Sequence, residues 1–233
     1  MKKGHNAAAR AVLTALLLAG PQLLAAGDIA TFVNLGFSTS AEHFMFAQYG
    51  VHQDGSLPYA ELRVVDVAAN DFASGGVGSL AGSQRVDPGV TGEGALFSLL
   101  GRSVAVTSRY QIDHLQSGRL VYILLDGDEP LAEIAFRDFV VGRSYRVKLV
   151  QSRTGEGHTA TSSFHIALTI DDATGTRNHI VGNPQIHRRG VLAYNIRQVL
   201  LAPDGDSLVF VVERHEANGD GVDVRYMVES IAL

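Results

Sequence analysis

The chain has 233 residues, which is enough for one domain, or two small ones, with a sizeable hydrophobic core. Hydrophobic residues make up 46% and charged residues 18%, a balance typical of globular proteins and not of disordered ones. Cysteine is absent, which excludes disulfides, thiolate nucleophiles and cysteine metal sites, and the net charge of −5 comes with scattered arginines that do not indicate nucleic-acid binding.

Residues 1–26 predict a signal peptide. Their basic residues are Lys2, Lys3 and Arg10. An apolar h-region follows at residues 11–20, and it is too short and too close to Pro21 for a membrane-spanning helix. We expect cleavage after Ala26 and a secreted or periplasmic protein with no membrane span. The remaining chain then has a net charge of −8, because residues 1–26 carry three basic residues and no acidic one.

Residues 27–233 predict a single β domain. Apolar and polar residues alternate over 145–149 and 164–170, which is typical of strands with one buried face. Residues 120–125, "LVYILL", are apolar on both faces and predict a central strand. Turn signals such as Asp126-Gly127 separate these runs, and we count about eleven strands. The predicted fold is mainly β, an antiparallel two-sheet sandwich-like domain with one short helix.

Residues 73–108 predict an insertion in the β domain. The stretch 75–94 is rich in glycine and serine, which indicates a loop. Leu96, Leu99 and Leu100 then follow at helical spacing before Gly101, so we expect one short helix there.

Two segments 164 residues apart, 33–67 and 197–231, carry the same pattern without a gap. The second holds a turn at Pro203-Asp204-Gly205, a strand through Phe210, a hairpin signal and a further strand. In the first, Phe46 aligns with Phe210. We expect two equivalent three-stranded antiparallel modules with both phenylalanines buried.

The turn at Pro203-Asp204-Gly205 also resembles the blade motif of TolB-type and WD40-like β-propellers. The first module departs from it, with Thr39-Ser40-Ala41 at the same place. A propeller needs at least about four blades and no third copy is visible, so an incomplete or irregular β-propeller-like fold remains the alternative.

Over residues 27–233 the chain resembles a bacterial family of predicted secreted proteins, domain of unknown function 2259. The stretches that carry the likeness are "GDIATFVNLGFS", "YAELRVVDVAANDF", "RYQIDHLQSGRLVYILLDG", "SSFHIALTI" and "RQVLLAPDGDSLVFVV". This resemblance implies export. It implies no chemistry and no site residues.

Motifs for cofactors and metals are weak. "GVGSLA" at residues 76–81 has the outline of a dinucleotide loop, but "GSQRVDPG" cannot form the helix that the motif requires. The acidic turns 125–130 and 218–223 could hold Ca²⁺, but neither supplies the downstream bidentate glutamate of an EF-hand. The acidic or amide residues of these turns are Asp126, Asp128, Glu129, Asn218, Asp220 and Asp223. Turn chemistry explains both, and we expect no metal and no cofactor.

Catalytic residues are equally hard to find. His158, His165, His179 and His187 lack the spacing of a local zinc site. No G-x-S-x-G elbow occurs, and a Ser-His-Asp set cannot be chosen from sequence alone. The catalytic residues are therefore unknown, and the sequence leans against an enzyme without excluding one.

The leading hypothesis is an exported, non-enzymatic binding or envelope-interaction module with a protein or glycan partner. A hydrolase with a non-local active site is one alternative, because convergent sites are invisible without three-dimensional proximity. An outer-membrane β-barrel is the other, although the strands are short and charged and the chain has no tryptophan for an aromatic girdle. The activity, the ligand, the oligomeric state and Ca²⁺ binding by the acidic turns cannot be inferred from the sequence.

Overall fold

The computed structural model describes residues 27–53, 56–219 and 221–233, so the predicted signal peptide lies outside the described residues. The elements in chain order are β1 (Thr31–Ser38), β2 (His43–His52), β3 (Leu57–Asp66), β4 (Asp71–Ala81), α1 (Glu93–Arg102), α2 (Val104–Arg109), β5 (Ile112–Asp113), β6 (Arg119–Ile123), β7 (Glu133–Asp138), β8 (Arg143–Thr154), a 3₁₀ turn (Gly157–Thr159), β9 (Thr161–Asp172), β10 (Gly175–Val181), β11 (Arg188–Arg189), β12 (Val191–Leu201), β13 (Ser207–Asn218) and β14 (Gly221–Ala232).

The strands form three sheets in which neighbouring strands are antiparallel. Sheet I has the order β4-β3-β2-β1-β5, and sheet II has the order β14-β13-β12-β6. Sheet III has the order β10-β9-β8-β7, with β11 paired to β9. A parallel bridge between Ile29 and Val224 adds the segment before β1 to the edge of sheet II.

Three buried clusters show how the layers stack. One joins sheet I to helix α1, a second joins sheets I and II, and a third joins sheets II and III. Sheet II is therefore the central layer, with sheet III on one face and sheet I, backed by the helix, on the other. The mainly β, antiparallel, sandwich-like fold is confirmed, and the described residues add a third sheet and a second helix to the prediction.

The apolar sequence of the central strands follows from this stacking. In β13, Phe210 packs between sheets II and III, whereas its neighbours Val209 and Val211 pack between sheets II and I. In β2, Phe46 faces sheet II while Met45 faces helix α1. Because successive side chains of a strand point to opposite faces, a strand inside the stack must be apolar at every position.

The two predicted modules each fold into three antiparallel strands, β1–β3 and β12–β14. Strands β2 and β13 begin 164 residues apart, and so do β3 and β14. Phe46 and Phe210 are both buried. The two modules differ in the hairpin that joins their second and third strands, because His52 pairs with Leu57 in the first module and Asn218 pairs with Gly221 in the second. Relative to the first module, the pairing of β13 with β14 is therefore displaced by two residues. A displacement by an even number leaves every side chain on the same face of its sheet.

Two local predictions differ from the structure. The glycine-rich stretch predicted as a loop from residue 75 continues strand β4 as far as Ala81, and the loop covers only the residues before α1. The glycines fit because β4 packs closely against its neighbours: a Cβ on Gly76 would lie 2.8 Å from Val64 Cβ of β3, and one on Gly78 would lie 3.4 Å from Leu99 Cδ1 of α1. Strand β6, predicted as central, is an edge strand of sheet II with Leu120 and Ile123 exposed.

Neither of the two described α-helices is long and apolar enough to cross a membrane.

Candidate functional site

A cavity of about 470 Å³ opens where elements of all three sheets meet. Its walls come from the β3–β4 turn of sheet I, from β14 of sheet II and from the β10–β11 connection of sheet III. We call it the three-sheet cleft. The residues that define its chemistry are Asn70, Phe72, Gly182, Ile186, Arg188 and Glu229. The volume lies in the range of about 300–1,000 Å³ that is usual for small-molecule sites.

Asn70 ties the β3–β4 turn to strand β14. Its backbone has φ 51°, a left-handed conformation that asparagine adopts more readily than most residues. The side-chain Nδ2 donates to Glu229 Oε2 at 2.6 Å, and Oδ1 accepts from the backbone N–H of Ser230 at 2.7 Å. One amide therefore connects sheet I to sheet II and fixes the position of a carboxyl group in the cleft.

Glu229 is the buried acid of the cleft, with only 7% of its surface exposed. Burial raises the pKa of Glu229, while the hydrogen bond from Asn70 and the charge of Arg188 act in the opposite direction. Within the described residues, Oε2 has the Asn70 donor and Oε1 has no hydrogen bond. A desolvated carboxyl with one unengaged oxygen is able to bind a donor group of a ligand.

Gly182 makes room for this carboxyl. A Cβ at this position would lie 3.2 Å from the carboxyl carbon of Glu229, and the backbone φ of 83° disfavours other residues. The β10–β11 connection can therefore pass close to β14, which places the wall from sheet III against the acid.

Arg188 supplies the positive charge of the cleft. Its guanidinium carbon lies 5.6 Å from the ring centre of Phe164 and 6.0 Å from that of Tyr194, within the range of cation–π contacts. Arg188 and Glu229 both line the cavity, and Arg188 acts on the carboxyl by its charge, whereas the side-chain hydrogen bond to that carboxyl comes from Asn70. An acid and a guanidinium thus share one cavity without neutralising each other by contact.

The rest of the lining is apolar or at the rim. Phe72 is more than half exposed, with the guanidinium of Arg63 5.8 Å from its ring centre. Ile186 and Met227 add aliphatic surface. Asp71 lies at the exposed rim, where its carboxylate accepts the backbone N–H of Phe72 at 2.7 Å. The cleft therefore offers a few polar groups on an apolar surface, including one exposed aromatic ring.

A second group of titratable side chains surrounds the buried carboxylate of Asp28. Arg225 Nη2 donates to Asp28 Oδ2 at 2.8 Å, and the Tyr59 hydroxyl donates to Oδ1 at 3.3 Å. Asp223 accepts the backbone N–H of Asp28 at 2.8 Å and pairs with Arg225 at 3.2 Å. Burial raises the pKa of Asp28 against the attraction of Arg225. Because these groups satisfy one another, we interpret the set, called the Asp28 anchor, as structural.

The motifs singled out in the sequence lie elsewhere. Residues 76–81 are part of β4 and do not lead into a helix, which excludes the dinucleotide loop. Asp126 pairs with Arg197 at 2.7 Å, and both carboxylate oxygens of Asp223 accept from Asn218 at 3.1 Å. Asp220 lies outside the described residues. In the described part of the chain, no three acidic or histidine residues are arranged to hold a metal ion.

The four histidines that the sequence analysis named are not hydrogen-bonded to one another in the described part of the chain. His158 accepts the backbone N–H of Gly219 at 3.1 Å, which joins the 3₁₀ turn to the β13–β14 hairpin. His165 and His179 lie on β9 and β10, and His187 is exposed in the β10–β11 connection.

The residues of the cleft were missed by sequence reasoning. Asn70 and Glu229 are 159 residues apart, so no local motif contains both. The local sequence gives only a weak signal, because Met227 and Ile231 flank Glu229 on its face of β14 but Asp223 and Arg225 lie on the same phase. A charged residue at such a position is expected to be either paired or functional.

These features define a stacked-sheet β protein with an open, ligand-sized cleft. The chain belongs to the family described as predicted secreted protein (DUF2259), whose model matches residues 45–232. The match extends over all six residues that define the cleft, and the family description agrees with the export expected from the sequence. No curated protein and no solved structure matches the chain significantly, so the likeness to TolB-type and WD40-like propellers has no support.

Proposed function

We propose that this secreted protein is a binding module that holds an envelope glycan in the three-sheet cleft. The observation that carries the proposal is the buried carboxyl of Glu229, which opens into a cavity of about 470 Å³ with one oxygen unengaged. The Oε1 oxygen is not sealed from solvent, so it is open to the cavity, and a hydroxyl group of a ligand can donate to it in place of solvent.

A glycan fits this cleft better than a protein surface does. Arg188 and Glu229 can hydrogen-bond neighbouring hydroxyl groups, and the exposed ring of Phe72 offers a flat apolar surface to a sugar ring. The cavity is concave and accommodates one or two sugar rings, whereas partners of protein size usually need an interface of about 800 Å² on each side. Glycans of the envelope are accessible to a secreted or periplasmic protein.

Binding without turnover fits the acids of the cleft. Glycoside hydrolysis generally uses two carboxyl groups that flank the scissile bond. In the described part of the chain, Glu229 is the buried acid of the lining, while Asp71 is exposed and engaged with its own turn. The pair that hydrolysis would need is not assembled around the cavity.

The test is calorimetric titration of the purified protein with envelope polysaccharides and peptidoglycan fragments. Glu229→Gln keeps the shape of the side chain but removes the acid, and Phe72→Ala removes the exposed ring. We expect each to weaken glycan binding by about tenfold or more, since a lost hydrogen bond to a charged group is worth about 1.5–3 kcal/mol. Phe97→Ala is the matched control, because Phe97 is an exposed phenylalanine on helix α1.

Three results would contradict the proposal. The first is the absence of binding to every glycan tested, and the second is equal affinity in the wild type and both cleft variants. The third is the release of shorter sugars during incubation, lost in Glu229→Gln, which would indicate a hydrolase instead.

A further inference from the structure

The three-sheet cleft carries opposite charges on two of its walls. Among the described residues that line it, the charged ones are Asp71, Arg188 and Glu229. Arg188 lies on β11 of sheet III and Glu229 on β14 of sheet II, and Arg188 is close enough for its charge to act on the carboxyl. Asp71 lies at the exposed rim on β4. Arg63, the other cation at the rim, is already paired with Glu61 at 3.2 Å.

The guanidinium of Arg188 is held in place without the use of its hydrogen-bond donors. Its carbon lies 5.6 Å and 6.0 Å from the ring centres of Phe164 and Tyr194, and a cation–π contact leaves the N–H groups free. Two other partly buried arginines, Arg197 and Arg225, donate to carboxylates of the chain. The described residues supply no such acceptor to Arg188, and its nitrogen atoms are not sealed from solvent. Its donors are therefore open to a ligand.

The carboxyl of Glu229 is fixed in a similar way, with one oxygen left open. Asn70 Nδ2 donates to Oε2 at 2.6 Å, and the amide of Asn70 is itself held by the backbone N–H of Ser230. Oε1 is open to the cavity. The cleft thus offers one positioned acceptor and one positioned set of donors, and the two carry opposite charges.

Each simple class of ligand leaves one of these charges without a counterpart. A purely anionic group, such as a uronate or a phosphate, would bind Arg188 but would lie near the carboxylates of Glu229 and Asp71. A purely cationic group would be repelled by Arg188. The hydroxyl groups of a neutral sugar supply hydrogen bonds but no charge, so they forgo the Coulomb attraction that both side chains offer. An ammonium and a carboxylate on one carbon provide both counterparts side by side.

We propose that the glycan held in the three-sheet cleft carries a zwitterionic amino-acid group, whose carboxylate binds Arg188 and whose ammonium binds Glu229. This inference rests on the proposed function and names the chemical group that the cleft selects. The planar guanidinium presents parallel N–H donors to the two oxygens of a carboxylate. The ammonium donates to Oε1 of Glu229, and the charge of Asp71 at the rim adds to its attraction. The exposed ring of Phe72 remains available to the sugar that carries the group.

The test is calorimetric titration of the purified protein with four forms of one peptidoglycan fragment. The first form is a disaccharide tripeptide that ends in diaminopimelate, which holds an ammonium and a carboxylate on the carbon at the far end of its side chain. In the second form this ammonium is acetylated, and in the third this carboxylate is amidated. The fourth form is the disaccharide without the peptide. We expect the first form to bind at least about tenfold more tightly than each of the other three, because each of them lacks at least one charge-assisted contact.

Two variants assign the two contacts. Arg188→Gln should abolish the preference for the free carboxylate over the amide and keep the preference for the free ammonium, and Glu229→Gln should do the reverse. Arg189→Gln, at the exposed neighbour on β11 that does not line the cavity, is the matched control and should keep both preferences. Circular dichroism checks the folding of each variant. If Arg188→Gln is unfolded, Arg188→Lys replaces it, because lysine keeps the cation but not the bidentate fork and should weaken the carboxylate preference alone.

The zwitterion is overturned if the four forms bind with equal affinity, or if Arg188→Gln weakens all four equally, which would indicate a structural role. It is equally overturned if only glycans without an amino-acid group bind. In these cases a glycan still binds, so the proposed function stands without this inference. If neither the four forms nor any other envelope glycan binds, the proposed function and the inference fail together.

Discussion

Phe46 and Phe210 lie 164 residues apart at matching positions of two stacked modules, yet they belong to different hydrophobic cores. Phe46 fills the space between sheets I and II, and Phe210 fills the space between sheets II and III. The equivalent faces of the two modules therefore point in the same direction along the stack. Sheet II presents its own opposite face, with Val209 and Val211, to Phe46 and its neighbours.

Truncation of either phenylalanine should be costly. Both side chains are almost completely buried, so Phe46→Ala and Phe210→Ala are each expected to lower the free energy of unfolding by about 3–5 kcal/mol. Denaturant titration followed by circular dichroism measures the change. Phe97→Ala, at an exposed phenylalanine, should change the free energy by no more than about 0.5 kcal/mol. Similar losses in all three variants would show that the two cores are not assembled as described.

The Asp28 anchor yields a second prediction. Arg225→Met removes the cation and leaves the buried carboxylate of Asp28 without its main partner, which is expected to cost about 3–5 kcal/mol. Adding Asp28→Asn removes the uncompensated charge, so the double variant should be more stable than Arg225→Met alone. Thermal and denaturant unfolding of the two variants measures the difference. A double variant less stable than Arg225→Met would mean that the carboxylate is solvated.

Gly182 provides a third prediction, with Gly142 as its matched control. Both glycines have φ in the left-handed region, 83° and 70°, where alanine is strained by about 1–2 kcal/mol. A Cβ at Gly182 would also crowd the carboxyl of Glu229, whereas a Cβ at Gly142 would meet nothing within 4 Å. Gly182→Ala should therefore lower the denaturation midpoint more than Gly142→Ala. Equal midpoints would contradict the close approach of the β10–β11 connection to β14.

The fold class was predictable because strand alternation is local. The buried phases of β8 and β9, through Tyr145 and Phe164, are those that the alternation predicted. Strand β4 was missed because its glycines signal a loop locally, and only packing under α1 explains why small residues suit a strand there. The third sheet was missed for a similar reason. A strand that is apolar on both faces is predicted to be buried, but its sequence does not identify the sheets that cover it.

The cleft was unpredictable because its parts come from three sheets. Asn70 lies in the first third of the chain and Arg188 and Glu229 lie in the last third, and the three share no spacing rule. The only local indication was that Met227 and Ile231 flank Glu229 on its face of β14, and Asp223 and Arg225 on the same phase obscure it. The exposed β7–β8 turn is different, because "FVV" at residues 139–141 is readable in the sequence, but its exposure depends on the turn that Asp138 holds.

Glu229 also predicts how stability depends on pH. Burial raises its pKa above the usual 4.5, so between pH 4.5 and the raised value the folded protein binds more protons than the unfolded chain. The free energy of unfolding therefore falls as pH rises through this window, and the loss is complete above the raised pKa. Glu229→Gln removes the ionisation while its amide oxygen can still accept the hydrogen bond from Asn70 Nδ2.

The expected outcome is a variant that gains stability relative to the wild type as pH rises. At about pH 4 the two proteins should unfold at similar denaturant concentrations, and at neutral pH Glu229→Gln should be the more stable. Because Asp28 is present in both proteins, its own contribution cancels in the difference. Glu129→Gln, which removes an exposed carboxylate, controls for the change in net charge. A stability difference between Glu229→Gln and the wild type that does not change with pH, or that grows as pH falls, would show that the carboxyl of Glu229 is not desolvated in the cleft.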